Sequence, residues 1–167
     1  MAHISTGVEY ALHCLLFLID PAGDARQASA RDLAELQGLP VEYVAKLFTK
    51  LQKAGLVSAA EGAGGGFRVA RKPETISVLD VIEAIDGEKA LFDCREIRER
   101  CVLFSDNPPV RVISGVCSIH AIMLEAEKRM RAVLAAHTVA EIAAAVAAKV
   151  PARFNDEVVN WLAKRSR

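Results

Sequence analysis

A mainly α-helical fold carrying one small β-hairpin is what this sequence predicts, and three observations predict it. The composition is aliphatic, with 52% hydrophobic, 25% charged and only 5% aromatic residues, which suits packed helices. Apolar residues recur at three- and four-residue spacing in one segment after another. The one strand-like stretch, "LVSAAEGAGGGFRVAR", is two short runs around a glycine-rich tip. At 167 residues the chain suffices for one or two small domains with a real core.

The elements follow in order. Ser5 or Thr6 caps a first helix reaching about Ile19, where the "DPAGDA" turn ends it. Val8, Leu12, Leu15, Leu16 and Ile19 form its buried stripe, while Glu9 and His13, four apart, share another face. Ser29 caps "ARDLAELQG", with Leu33 and Leu36 inward and Gly38 as the stop. After a short "GLP" turn comes "VEYVAKLFTKLQKAG", with Val44, Leu47, Phe48 and Leu51 as core face and Gly55 as stop. Two short helices joined by a tight glycine-containing turn make a helix-turn-helix, and the hairpin after it is a wing. The class is therefore a winged helix-turn-helix over residues 1–72, followed by a helical region over 73–167.

Pro73 breaks the pattern before "TISVLDVIEAIDG", a capped helix with Leu79, Ile82 and Ile85 apolar. Residues 88–117 have weak periodicity and contain "DNPPV", and read mainly as loop. From Cys117 a long helix begins, with Ile119, Ile122, Met123, Ala126, Met130, Val133 and Leu134 along one side. A lone helix cannot bury such a stripe, so it needs a partner helix, which a second subunit supplies most economically and the chain's own domain supplies otherwise. Thr138 caps "VAEIAAAVAAK", and a final amphipathic helix surrounds "NDEVVNWLAK".

Formal net charge is zero, so any affinity for nucleic acid must come from local clustering. Residues 29–72 carry seven basic residues (Arg31, Lys46, Lys50, Lys53, Arg68, Arg71, Lys72) against four acids (Asp32, Glu35, Glu42, Glu61). A surplus of three, doubled in a dimer, lies in the elements that would meet DNA. Arg31, Lys46, Lys50, Arg68 and Arg71 are candidates to neutralise phosphates. The exposed start of the second helix, "VEYVAK", would enter the major groove. There Glu42 can accept from a cytosine amino group and Tyr43 can meet a phosphate or a thymine methyl; Thr49 lies further along the same helix. The plainer reading is a solvated charged face, and winged helices also serve as protein-interaction modules.

No stretch approaches the roughly 20 apolar residues of a membrane span, and no signal-peptide pattern opens the chain, so a cytoplasmic location is expected. Cytosolic thiols are normally reduced, which turns four cysteines toward metal or redox chemistry. Cys14, on the apolar first helix, reads as a buried, inert thiol. Cys94, Cys101 and Cys117 bring three soft ligands into one segment, and His120 adds an imidazole one helical turn on. The spacing lacks the tight C-x2-C of a structural zinc site, and a loop-held site suits a labile cluster better. Arg95, Arg98 and Arg100 lie among these cysteines. Unconnected cysteines and a metal-free thiol–disulfide switch remain open.

Taken together, "ISTGVEYALHCLLFL", "YVAKLFTKLQKAGLV", "GAGGGFRVAR", "ISVLDVIEAIDG" and "CSIHAIM" resemble the Rrf-two family of winged-helix regulators over roughly residues 1–145. The resemblance implies a homodimeric transcriptional regulator, most often a repressor, binding a palindromic promoter site. It also implies an iron–sulfur cluster beside a long C-terminal dimerisation helix, 2Fe-2S favoured over 4Fe-4S, that senses redox state, nitric oxide or iron–sulfur status. Cys94, Cys101 and Cys117 match the family's cluster cysteines, although the gap before Cys117 is longer than usual. His120 matches a fourth ligand. "GVEYALHC" resembles the redox-sensing branch, in which Glu9 and His13 of one subunit would join two cysteines of the other. Glu61 stands where members of the cluster-assembly type carry arginine, so their base preference does not transfer. An enzyme is the weakest reading, because no catalytic triad, carboxylate pair or phosphate-cradling loop stands out.

Overall fold

The computed structural model describes residues 4–20, 26–60, 65–104 and 110–165. The wing tip with Glu61, most of the "DPAGDA" turn and most of "DNPPV" lie outside them. Two compact units are present, one formed by Met1–Glu88 with Leu134–Arg167, the other by Lys89–Val133.

In the larger unit, α1 (Thr6–Leu16) buries Val8, Ala11, Cys14 and Leu15. The regular helix stops three residues earlier than the apolar pattern suggests. Its last turn tightens, with Phe17, Leu18 and Ile19 donating to the carbonyls three residues back. Ser5 precedes α1, and its side chain is spent elsewhere: its backbone N–H and hydroxyl donate to the Asp86 carboxylate at 2.8 and 2.6 Å.

The helix-turn-helix is α2 (Ala30–Gln37) and α3 (Val41–Lys53). Ser29 and Asp32 form a reciprocal capping box at the start of α2, worth about 1 kcal/mol. Gly38 ends α2 at φ 65°, a conformation costly for any residue with a Cβ. One face of α3 buries Val44, Leu47, Phe48 and Leu51.

The wing is β1 (Val57–Ala60) paired antiparallel with β2 (Gly66–Val69), Val57 opposite Val69 and Ser58 opposite Arg68. Ala28 also exchanges backbone hydrogen bonds with Phe67, at 3.1 and 2.8 Å, so the chain entering α2 runs along β2. That close approach dictates Gly66, because a Cβ there would sit 2.6 Å from the Ala28 carbonyl oxygen. Gly66→Ala is expected to cost about 1–3 kcal/mol through forced backbone movement, measured as a lowered urea midpoint.

Past Pro73, α4 (Val78–Asp86) carries a second capping box from Ser77 and Asp80, and α7 (Val139–Ala147) a third from Thr138 and Glu141. The starts of α4 and α7 are tied together, Val78 donating to His137 and Val139 to Ile76, both at 2.9 Å. Ile76, Val81 and Val139 are wholly buried around this tie. Finally α8 (Phe154–Ala163) buries Val158 and Leu162, and Arg165, just beyond it, pairs with Glu35 of α2 and lies 4.0 Å over the Trp161 ring.

The smaller unit is loop with short 3-10 turns at Ile97–Arg100 and Val102–Phe104, and one helical turn, α5 (Val110–Ile113). After it comes α6 (Ser118–Ala136), 19 residues long with none buried. Among the described residues no helix is long and apolar enough to cross a membrane.

Candidate functional site

The residues expected to meet DNA occupy the helix-turn-helix and the wing. Glu42, Lys46 and Thr49 are exposed on α3, and Arg31 is exposed in the first turn of α2. Thr49 donates back to the Ala45 carbonyl at 2.8 Å, within its own helix. Tyr43 is 37% exposed; its ring meets Tyr10 edge-on at 6.0 Å, and its hydroxyl lies against Gly7. Lys50 reaches across to α4 and donates to the Ile85 carbonyl at 2.6 Å, capping that helix's C-terminal end. Arg68 donates to Ser58 across the hairpin at 3.3 Å, and Arg71 lies 3.7 Å from Asp80.

Cys14 is wholly buried on α1, and burial pushes its thiol from 9.0 up to about 12. It therefore stays protonated and shielded. Any stability linked to that shift is present below pH 9 and is lost as pH rises toward 12. In the native protein three thiols are expected to react with Ellman's reagent at pH 8, the fourth only after denaturant is added. Four fast thiols would contradict the burial of Cys14.

Cys94, Cys101 and Cys117 are free thiols of intermediate exposure. The segment bearing Cys94 folds back on the start of α6. Leu91 donates its N–H to Glu127 at 3.0 Å, and Phe92 lies 6.0 Å from the His120 ring. Arg98, one of the three arginines the sequence places among the cysteines, makes the third tie, whose partners the sequence does not announce. Its guanidinium grips both carboxylate oxygens of Glu96, at 2.5 and 2.8 Å, and donates to the Gly115 carbonyl at 2.9 Å. Glu96 is the one non-glycine residue with positive φ (44°) among those described, so this grip holds a strained turn. The hydrogen bond from Arg98 holds the Glu96 carboxyl below its usual range, and nearby His120 adds to the effect. Conversely, Glu96 raises Arg98 above its ordinary value, with electrostatic support from Cys117 and Cys94.

Cys94, Cys117 and His120 thus lie within electrostatic reach of this ion pair. Among the described residues, no three Cys, His, Asp or Glu side chains gather closely enough to hold a metal ion. The donor chemistry, thiolates with an imidazole, fits an iron–sulfur cluster, but one chain in this conformation does not complete its coordination. Glu9 and His13 belong to the other unit. Both are exposed on α1 and face an apolar groove of about 440 Å³ that Leu12, Ile82 and Ile142 help line.

Residues 4–145 match the profile of the Rrf2 family, described as iron-dependent transcriptional regulators. The chain is 33% identical to the protein Rrf2 of Nitratidesulfovibrio vulgaris over 120 residues, 72% of this chain and 73% of that one. It is 30% identical to the HTH-type transcriptional repressor NsrR of Streptomyces coelicolor, covering 82% of this chain and 85% of the other. Among solved structures it is similar to IscR of T. potens, with a TM-score of 0.60 and 26% identity over 84% of this chain and 85% of that one. The family profile and the NsrR relative are named for the regulation of transcription, and the winged helix-turn-helix predicted from the sequence matches the fold of the solved IscR. With the family profile spanning the DNA-reading helices, the wing and the cysteine segment alike, this chain belongs to the Rrf2 family of DNA-binding transcriptional regulators.

Proposed function

We propose that this chain is a cytoplasmic repressor whose affinity for a palindromic promoter site is set by an iron–sulfur cluster in a homodimer. The observation that carries the reading is the fold-back of the cysteine segment, in which Arg98 donates to the Gly115 carbonyl two residues before Cys117 and Phe92 lies beside the His120 ring. Residues 1–72 would read DNA, and residues 73–167 would sense and dimerise. Cys94, Cys101 and Cys117 would hold the cluster. The fourth ligand would be His120, or Glu9 or His13 of the partner subunit. When bound, a cluster of the 2Fe-2S type supplies a centre open to oxidants and nitric oxide.

The chain's own residues have separable tasks. Arg98 ties the Cys94 side of the segment to Gly115, two residues before Cys117, and its positive charge favours an anionic group between the two thiols. Arg31, Lys46, Lys50, Arg68 and Arg71 would meet phosphates, while Glu42, Tyr43 and Thr49 lie on the helix that would read bases. A change in the cysteine segment would alter the spacing of two recognition helices about one DNA turn apart.

Anaerobic reconstitution with iron and sulfide tests this reading. Iron, sulfide and visible absorbance should appear in the wild type and be lost in Cys94→Ala and Cys117→Ala. A colourless, iron-free wild type would end it. Cys101→Ala and His120→Ala then choose among the remaining ligands.

A second reading is a metal-free thiol switch, favoured because, among the described residues, no three Cys, His, Asp or Glu side chains gather closely enough to hold an ion. Peroxide would take two electrons and two protons from the thiols, forming one S–S bond and two waters. DNA affinity of iron-free protein would then change with peroxide and recover with dithiothreitol.

A further inference from the structure

Besides the cysteine segment, the larger unit contains a cavity of about 400 Å³ between α1, α7 and α8. That is far larger than the packing voids of a protein interior and falls within the range of small-molecule sites. Leu16, Phe17, Val146, Val150, Phe154 and Val158 are among its apolar lining. Eight of the fifteen lining residues lie beyond residue 145, where the family match ends. The cavity therefore needs the chain's C-terminal portion as well as the winged-helix core.

Its polar groups define what it accepts. Arg26 is the one lining residue with a fixed charge, and it is already satisfied, its guanidinium donating to the Asp20 carboxylate and to the Asn155 side-chain oxygen. A charged ligand would thus be desolvated without an opposite charge to meet it. Gln37 and His13 also line the cavity, and among the described residues neither side chain has a hydrogen-bond partner. An apolar wall, a neutralised ion pair and the unpartnered Gln37 amide are complementary to an uncharged molecule with an apolar body and one polar head.

We propose that this cavity is a binding site for a small, uncharged, amphipathic effector, its apolar body against α7 and α8 and its polar head on Gln37 or His13. Gln37 is the last residue of α2. Occupancy would therefore touch the helix-turn-helix directly.

Benzyl alcohol, toluene and benzoate test the proposal on the full-length protein, with binding followed by ligand-observed and amide NMR. Benzyl alcohol should bind one per chain, about tenfold more tightly than benzoate. Ala147→Phe, which fills the cavity, should weaken it about tenfold at unchanged melting temperature. Because a bulky substitution risks misfolding, Gln37→Ala provides a second variant: it should weaken benzyl alcohol severalfold and leave toluene unchanged. The proposal is overturned if no uncharged probe binds the wild type, as when a second copy covers the opening. It is equally overturned if benzoate matches benzyl alcohol, or if both variants bind like the wild type.

Discussion

Ile122→Glu is expected to abolish self-association and to weaken binding to a palindromic site by about 10²–10⁴-fold, the advantage lost when two half-site readers are uncoupled. The reason lies in α6, which runs for 19 residues without burying one. Ile119, Ile122 and Val133 are 61%, 68% and 59% exposed. Such a stripe is too apolar to face water by choice, and under the proposed function a second copy of the same helix would supply a self-complementary cover. A glutamate at the stripe leaves the single chain's fold unstrained, because Ile122 packs in no core. It would, however, bury two unpaired charges across a twofold contact. Light scattering gives the mass, and fluorescence anisotropy on a labelled duplex gives the affinity. A variant that stays dimeric would move the interface away from α6.

Phe48→Ala is expected to cost about 3–5 kcal/mol, a large part of the 5–15 kcal/mol typical of a domain. Phe48 is fully buried on α3, and its ring lies 5.0 Å from that of Phe67 on β2. It therefore packs the recognition helix against the wing. Phe48→Leu keeps most of the volume and should cost less than about 1.5 kcal/mol. Urea unfolding with tryptophan fluorescence separates the two, and similar losses for both would mean the site collapses easily around a void.

Local signals made most of the winged helix readable in the sequence. Ser29, Gly38, Ser77 and Thr138 each act through backbone groups a few residues away, so their neighbours along the chain announce them. The buried face of α3 was legible for the same reason, its spacing being a property of one helix. What could not be read were partners brought together by folding. Lys50 looks like any surface lysine until α4 presents the Ile85 carbonyl to it. Ser5 looked like a cap for its own helix, yet Asp86, 81 residues away, takes its hydroxyl. Arg98 was visible only as one basic residue among several, whereas its grip on Glu96 and Gly115 depends on a left-handed turn at Glu96. The cysteines were identifiable by type and order, but their distances are set by those same unannounced contacts.

The larger unit is assembled from two separate stretches of chain, with the cysteine segment and most of α6 inserted between them. Its halves are stitched by the paired backbone bonds at Ile76–Val139 and Val78–His137, by α7 packed on α1, and by Arg165 on Glu35. A protease cut inside the insertion would therefore sever the polypeptide without severing the DNA-reading body. The two fragments should travel together through gel filtration, parting only in denaturant. In that sense the insertion is a handle riveted at both ends to a body that keeps its shape when the handle is cut.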